Sequence, residues 1–200
     1  LRRHAGEPGN PAGGAGTAVR PGPLRPARTK MKIFYKPAES LSGIIGAVKG
    51  ERRMKKEART VVRDGRLRVE VYRFEGIARP FPNHFHEHYV IGLVEEGERA
   101  LSCKNQAYNI KKGDVLLFNP GDSHGCVQRG GGTLDYRGLN ISIEVMLDLA
   151  EEVTGRRKLP GFSRSVVSDE EAACCLRSFH ELVMRGSGEL EKEEALLLLV

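Results

Sequence analysis

The chain of 200 residues has no tryptophan and only four cysteines. Cys103, Cys126, Cys174 and Cys175 include no pair at metal-ligand spacing, and the adjacent Cys174 and Cys175 are badly placed to bridge each other. That argues against a disulfide scaffold or a cysteine-held zinc site, and for free thiols in a reducing cytoplasm. No apolar run reaches the ~18 residues needed to span a bilayer. The first 30 residues are basic but lack the apolar stretch of a secretory signal, and they are too rich in glycine and proline for an amphipathic transit helix. A cytoplasmic location with no membrane partner is expected. Phosphate-loop chemistry is also missing, since Gly130-Gly131-Gly132 has no Lys-Ser/Thr after it. No Ser/His/Asp order or reactive-cysteine setting stands out.

The formal charge of +6 suggests a nucleic-acid partner, but its location does not. Residues 1–60 carry 14 Lys/Arg against 4 Asp/Glu, whereas residues 61–200 carry 18 against 22. The excess lies in a segment whose first 30 residues hold 11 Gly or Pro and almost no large apolar side chains. Such a segment cannot bury enough surface to offset its ordering entropy. Residues 1–60 are therefore expected to be a disordered or non-native basic tail. Met31 and Met54 are both plausible true starts for a chain that opens at Leu1.

From Leu67 the pattern changes. Leu67 to Phe74 alternates apolar and polar residues, the period of a half-buried strand. Further strands are predicted over 88–95, 99–103, 106–110, 114–118 and 134–143. Glu96-Gly97, Lys104-Asn105 and Lys112-Gly113 fit the turns between them. Short strands at regular spacing predict a mainly β barrel or sandwich over 61–143. Residues 144–200 read as helical: 144–154 stopped by Gly155, a second helix opened by a Ser168-to-Glu171 capping box and closed at Gly186, and a third from Glu189. Ending on Leu196 to Val200, five apolar residues, predicts that the chain is a fragment of something longer.

His84, His86 and His88 stand at i, i+2 and i+4 where a strand is predicted to begin, so all three would share one face. Three imidazoles on a face offer a metal site completed from elsewhere, and His124 after the Asn119-to-Ser123 turn is the candidate. A polar strand end holding hydrogen-bonded histidines is the competing account. Arg137 is read as an outward, solvated arginine, His180 as structural, Tyr89, Tyr108 and Tyr136 as wall or core, and Asp122 and Ser123 as turn-shaping residues.

The stretch from His84 to His124 resembles the two motifs of the cupin superfamily. His84-x-His86 matches the paired histidines, Gly97 the closing glycine, and Gly113, Gly121 and His124 the second motif in register. The proline of that motif is displaced to Pro120, Gln128 stands for its final asparagine, and Val90 occupies the glutamate slot. The wording His84-Phe-His-Glu-His-Tyr-Val-Ile and Lys112-Gly-Asp-Val-Leu-Leu-Phe-Asn-Pro-Gly-Asp-Ser-His124 further resembles the N-terminal sensor domain of AraC-type transcription regulators, over roughly 66–200.

The resemblance implies a cupin, jelly-roll-like barrel with helices packing on it. Residues 144–200 would be a linker and dimerisation region, and a C-terminal helix-turn-helix domain that reads DNA would be absent from this fragment. A small-molecule effector, a sugar or small acid, would bind near His84, His86, His88 and His124. It would control DNA binding by a homodimer, without catalysis. No cofactor is required. If a divalent transition metal binds, His84, His86 and His124 would hold it. The alternatives are a small metal-dependent cupin enzyme of dioxygenase or isomerase type, and a metal-free carbohydrate-binding module.

Overall fold

The computed structural model describes residues 56–200. Most of the expected tail lies outside that range, but its last residues do not. Strand β1 (Ala58–Asp64) begins inside the segment and pairs antiparallel with β2 (Val69–Ile77). The strand was hidden because Arg59 and Arg63 sit on an exposed edge, where no apolar alternation is required.

The chain continues through β3 (Phe81–His84), β4 (Tyr89–Glu96), β5 (Glu98–Cys103), β6 (Gln106–Lys111), β7 (Asp114–Phe118), β8 (His124–Gln128) and β9 (Leu134–Ile141). Helix α1 (Ile143–Thr154), strand β10 (Val166–Ser168) and helices α2 (Glu170–Arg185) and α3 (Glu189–Leu199) follow. Two antiparallel sheets form, ordered β1-β2-β9-β4-β7-β10 and β3-β8-β5-β6. Among the described residues no helix is long and apolar enough to cross a membrane.

Strand alternation gives the six-stranded sheet two buried faces. One face supplies Val90, Val94, Leu116, Phe118 and Tyr136, which meet Leu101, Cys103, Ile110 and Cys126 of the other sheet in the barrel core. The opposite face supplies Val69, Val71, Ile91, Leu93 and Leu139, which meet Val145, Met146, Leu176, Phe179, Val183 and Leu196 of the helices. A mainly β barrel with helices packed on it is thus the architecture.

The turns are where the sequence put them. Lys104 and Asn105 have φ of 51° and 61°, as a two-residue hairpin turn requires. Gly97 has φ of 94°, and a β-carbon there would lie 2.1 Å from the Thr133 carbonyl oxygen, so no other residue fits.

Two features of the 144–200 region differ from expectation. It contributes β10, which extends the sheet beside β7 and is too short to show a pattern of its own. And Asp169, not Ser168, caps α2: its carboxylate accepts from the Ala172 amide, while Ser168 ends β10 and donates to Asp114 Oδ1 at 2.6 Å.

Candidate functional site: the histidine mouth of the barrel

The histidines do not share one strand. His84 ends β3 and pairs with His124 at the start of β8, while His86 and His88 lie in the link 85–88. They converge nonetheless. Ring centroids are 4.5 Å apart for His84 and His124, 5.2 Å for His86 and His124, and 4.9 Å for His86 and His88. Phe118 stacks on His124 at 3.8 Å, fixing that ring. One ring nitrogen from each of His84, His86 and His124 lies within 4.8 Å of the others, and His88 stands outside that trio.

The tautomers follow from the partners. His84 Nδ1 is 2.7 Å from the Pro82 carbonyl and His124 Nδ1 is 2.9 Å from the Asp122 carbonyl. A carbonyl only accepts, so both rings donate from Nδ1, and in the neutral ring it is Nε2 that keeps the lone pair. Burial, together with His88, His124 and His84 nearby, lowers the His86 pKa to about 3. Burial also lowers His124, against the opposing pull of Asp122, and lowers His88, against Glu70 and Asn140. These three rings are neutral near pH 7, so the mouth accepts hydrogen bonds more readily than it donates them.

Sequence reasoning missed two members of this wall. Asn140 of β9 sits in register between Glu70 of β2 and Val90 of β4. Its Nδ2 donates to Glu70 Oε1 at 3.0 Å. Its Oδ1 and His88 Nε2 are buried and have no well-formed hydrogen bond among the described residues, though the Asn140 side chain lies close enough to His88 to oppose the burial that lowers that ring's pKa. By alternation Glu70 shares a face with Tyr72, which the apolar-polar pattern of a half-buried strand does not mark as interior. Its pairing with Asn140 depends on strand order, which the sequence does not display.

Below the mouth the interior is aromatic. Tyr136 and Tyr72 have ring centroids 6.0 Å apart, and Tyr72 and Phe74 4.9 Å. Val90 is 1% exposed within this core, so the glutamate slot offers no carboxylate. Tyr89, by contrast, faces the helices and donates to the Pro160 carbonyl at 2.8 Å.

Asp122 shapes its turn by accepting from the Asn119 amide at 2.9 Å. Arg137 corrects the expectation of a solvated side chain: it is 9% exposed and ion-paired with Glu95 and Glu181 of α2. The helix covering β9 turns an outward position into a buried one. His180 of α2 is structural, its Nε2 donating to the Tyr72 carbonyl at 2.9 Å.

The donor chemistry at the mouth fits a divalent transition metal. His84, His86 and His124 bring imidazole nitrogens, and backbone carbonyls orient the rings of His84 and His124 as the outer hydrogen bonds of zinc-binding histidines do.

Residues 67–200 match the family model of the AraC-like ligand binding domain. The chain is 46% identical over 147 residues to the HTH-type transcriptional regulator YbfI of Bacillus subtilis (strain 168), covering 74% of this chain and 54% of that protein. It therefore spans about half the length of that curated relative.

Among solved structures, a cupin family protein with a double-stranded β-helix fold from Methanocaldococcus jannaschii is similar at 18% identity and a TM-score of 0.39, over 50% of this chain and 94% of that one. KdgF from a Halomonas species is similar at 20% identity and a TM-score of 0.37, over 44% and 82%. A barrel with a polar mouth, helices on its outer face and a family match across both are one consistent finding: the chain belongs to the AraC-like ligand-binding domain family.

Proposed function

We propose that this chain is the effector-sensing part of a DNA-binding transcription regulator, and that the effector binds at His84, His86, His88 and His124, with Asn140 and Glu70 completing the wall. The observation that carries the site is the convergence of the four histidine rings, with the buried Asn140 Oδ1 and His88 Nε2 beside them in no well-formed hydrogen bond. Buried polar atoms without well-formed hydrogen bonds are costly, and a ligand hydroxyl suits both because it donates and accepts. A sugar or a hydroxylated small acid suits that chemistry.

The effector would act by favouring one arrangement of barrel and helices over another. A homodimer would carry that change to a helix-turn-helix domain in the whole protein. The site is a sensor's and not an enzyme's in this reading.

The test is a thermal-shift screen of monosaccharides and small organic acids on the chain, followed by a reporter assay with the complete regulator. A ligand at 100 times its Kd stabilises by about 2.7 kcal/mol, which is readily seen. The ligand that raises the melting temperature is expected to lose its effect in His86→Ala and Asn140→Ala and to change reporter output. A ligand that binds both variants as tightly as the parent would remove the proposed site.

A second reading is favoured by the three converging histidine nitrogens. His84, His86 and His124 would hold a divalent metal, which when bound would supply a Lewis acid or a pin for an effector oxygen. Metal analysis of protein purified without a His tag checks it. Less than about 0.1 equivalent of any transition metal ends this reading, because a competent three-histidine site retains such ions.

A further inference from the structure

Glu70 brings a carboxylate to the barrel mouth, and its partners decide what it can still hold. It lies on β2, in register with Arg63 of β1 and Asn140 of β9. Asn140 Nδ2 donates to its Oε1 at 3.0 Å, and Arg63 Nη2 to its Oε2 at 3.2 Å. A carboxylate offers about four lone-pair sites, so both oxygens can accept again. Arg63 is a weak competitor, because its side chain is 78% exposed, and the Glu70 side chain at 30% is open to solvent.

The charge acts on both sides of its strand position. Burial pushes the Tyr72 hydroxyl up, Tyr136 opposes that, and Glu70 adds to the rise. Burial lowers His88, and Glu70 is the largest influence against it. Glu70 also sets the Asn140 amide. A carboxylate only accepts, so the amide must turn its NH2 to Glu70 and present Oδ1 to the His88 side.

The rest of the rim leans the same way. His84 and His124 donate from Nδ1 to backbone carbonyls, which leaves Nε2 of the neutral ring to accept. Glu87 stands between His86 and His88. Lys104 is brought beside the mouth by the pairing of Cys103 with His124, but it is bound to Asp122 at 2.8 Å. An incoming carboxylate meets acceptors and engaged cations. An ammonium, with three donors and no acceptor, meets partners.

We propose that Glu70 makes the mouth selective for an effector that carries a primary ammonium beside a hydroxyl, the ammonium on the Glu70 carboxylate and the hydroxyl on Asn140 Oδ1 and His88 Nε2. The inference rests on the sensing reading above and deepens it. It keeps the hydroxylated effector at the histidines, adds an amine to it and removes the acids.

Calorimetry at pH 7 on the EDTA-treated 200-residue chain tests this with glucamine, sorbitol and gluconate. These linear six-carbon polyols differ at carbon 1, which bears an ammonium, a hydroxyl or a carboxylate. Glucamine is expected to bind about tenfold more tightly than sorbitol, the margin by which a charge-assisted hydrogen bond exceeds a neutral one, and gluconate more weakly than both. Glu70→Gln should remove the advantage of glucamine and leave sorbitol binding unchanged, because the glutamine oxygen still accepts from Asn140. Arg63→Ala, on an exposed edge, frees Oε2 without disturbing the fold and should tighten glucamine alone.

Glucamine that fails to bind, binds no more tightly than sorbitol, or binds Glu70→Gln as well as the parent overturns the inference. So does weaker glucamine binding by Arg63→Ala. Reporter output from the complete regulator separates the two readings. A reporter that ignores every ligand found to bind, with Glu70-dependent glucamine binding, overturns sensing alone. A reporter that answers to a compound whose binding survives Glu70→Gln overturns the ammonium alone.

Discussion

At position 138 the chain has no room for a β-carbon. One built there would lie 2.0 Å from Tyr72 Cζ, and one at Gly92 would lie 1.6 Å from the Tyr136 hydroxyl oxygen. Each tyrosine ring thus rests on a glycine, which is how two large side chains fit inside a narrow barrel. Gly138→Ala should destabilise the fold by about 1–3 kcal/mol through overpacking. In a Tyr72→Ala background the same change should cost far less, because the ring it strikes is gone. Urea titrations of the four proteins measure the coupling, and additive effects would contradict the packing described. Neither glycine is marked in the sequence, since a glycine inside a strand pattern signals close approach without saying of what. The site follows the same rule. His84, His86 and His124 were legible because spacing and turn residues are local, whereas Glu70 and Asn140 acquire meaning from neighbours on other strands.

Helix α2 is held by its apolar stripe of Ala173, Leu176, Phe179 and Val183, and by His180 donating to a strand carbonyl. Burial lowers the His180 pKa, opposed by its bond to Tyr72 and by Glu181 and reinforced by Arg137 and Arg73. A histidine whose folded pKa lies below its unfolded value of about 6.5 binds fewer protons when folded, so stability is full above that pH and falls as pH drops below it. His180→Gln, which keeps a donor for the carbonyl, should lose less stability than the parent between pH 7.5 and pH 5. Equal losses would show that this ring contributes nothing to the pH dependence.

Helix α3 is pinned differently, by Lys192 Nζ at 2.6 Å from Asp64 Oδ2 of β1, with side chains 11% and 7% exposed. Asp64→Asn strands a buried ammonium and should cost about 3–5 kcal/mol, while Asp64→Leu with Lys192→Met should be close to neutral. Denaturant midpoints of the single and double variants check it. The helices themselves were legible from periodicity and from Gly155 and Gly186. Strands β1, β3 and β10 were not, because edge exposure or brevity removes the alternation that betrays a strand, and β8 was not because its buried positions are His124 and Cys126 and not large apolar residues.

Across the whole molecule one sheet serves two cores, the barrel interior and the layer beneath the helices. Barrel and helices are therefore expected to unfold together. Phe179→Ala, at a side chain 0% exposed, should cost about 3–5 kcal/mol and lower the helical and β signals at a single midpoint. Two separated transitions would show the helices to be an independent unit. The joint between the layers is narrow and specific at Tyr72, whose ring belongs to the barrel side and whose carbonyl accepts from His180 on the helix side. A carbon-13 label in that carbonyl would give an isolated infrared band. Its frequency would record, from the helix side, any displacement of the ring in the barrel.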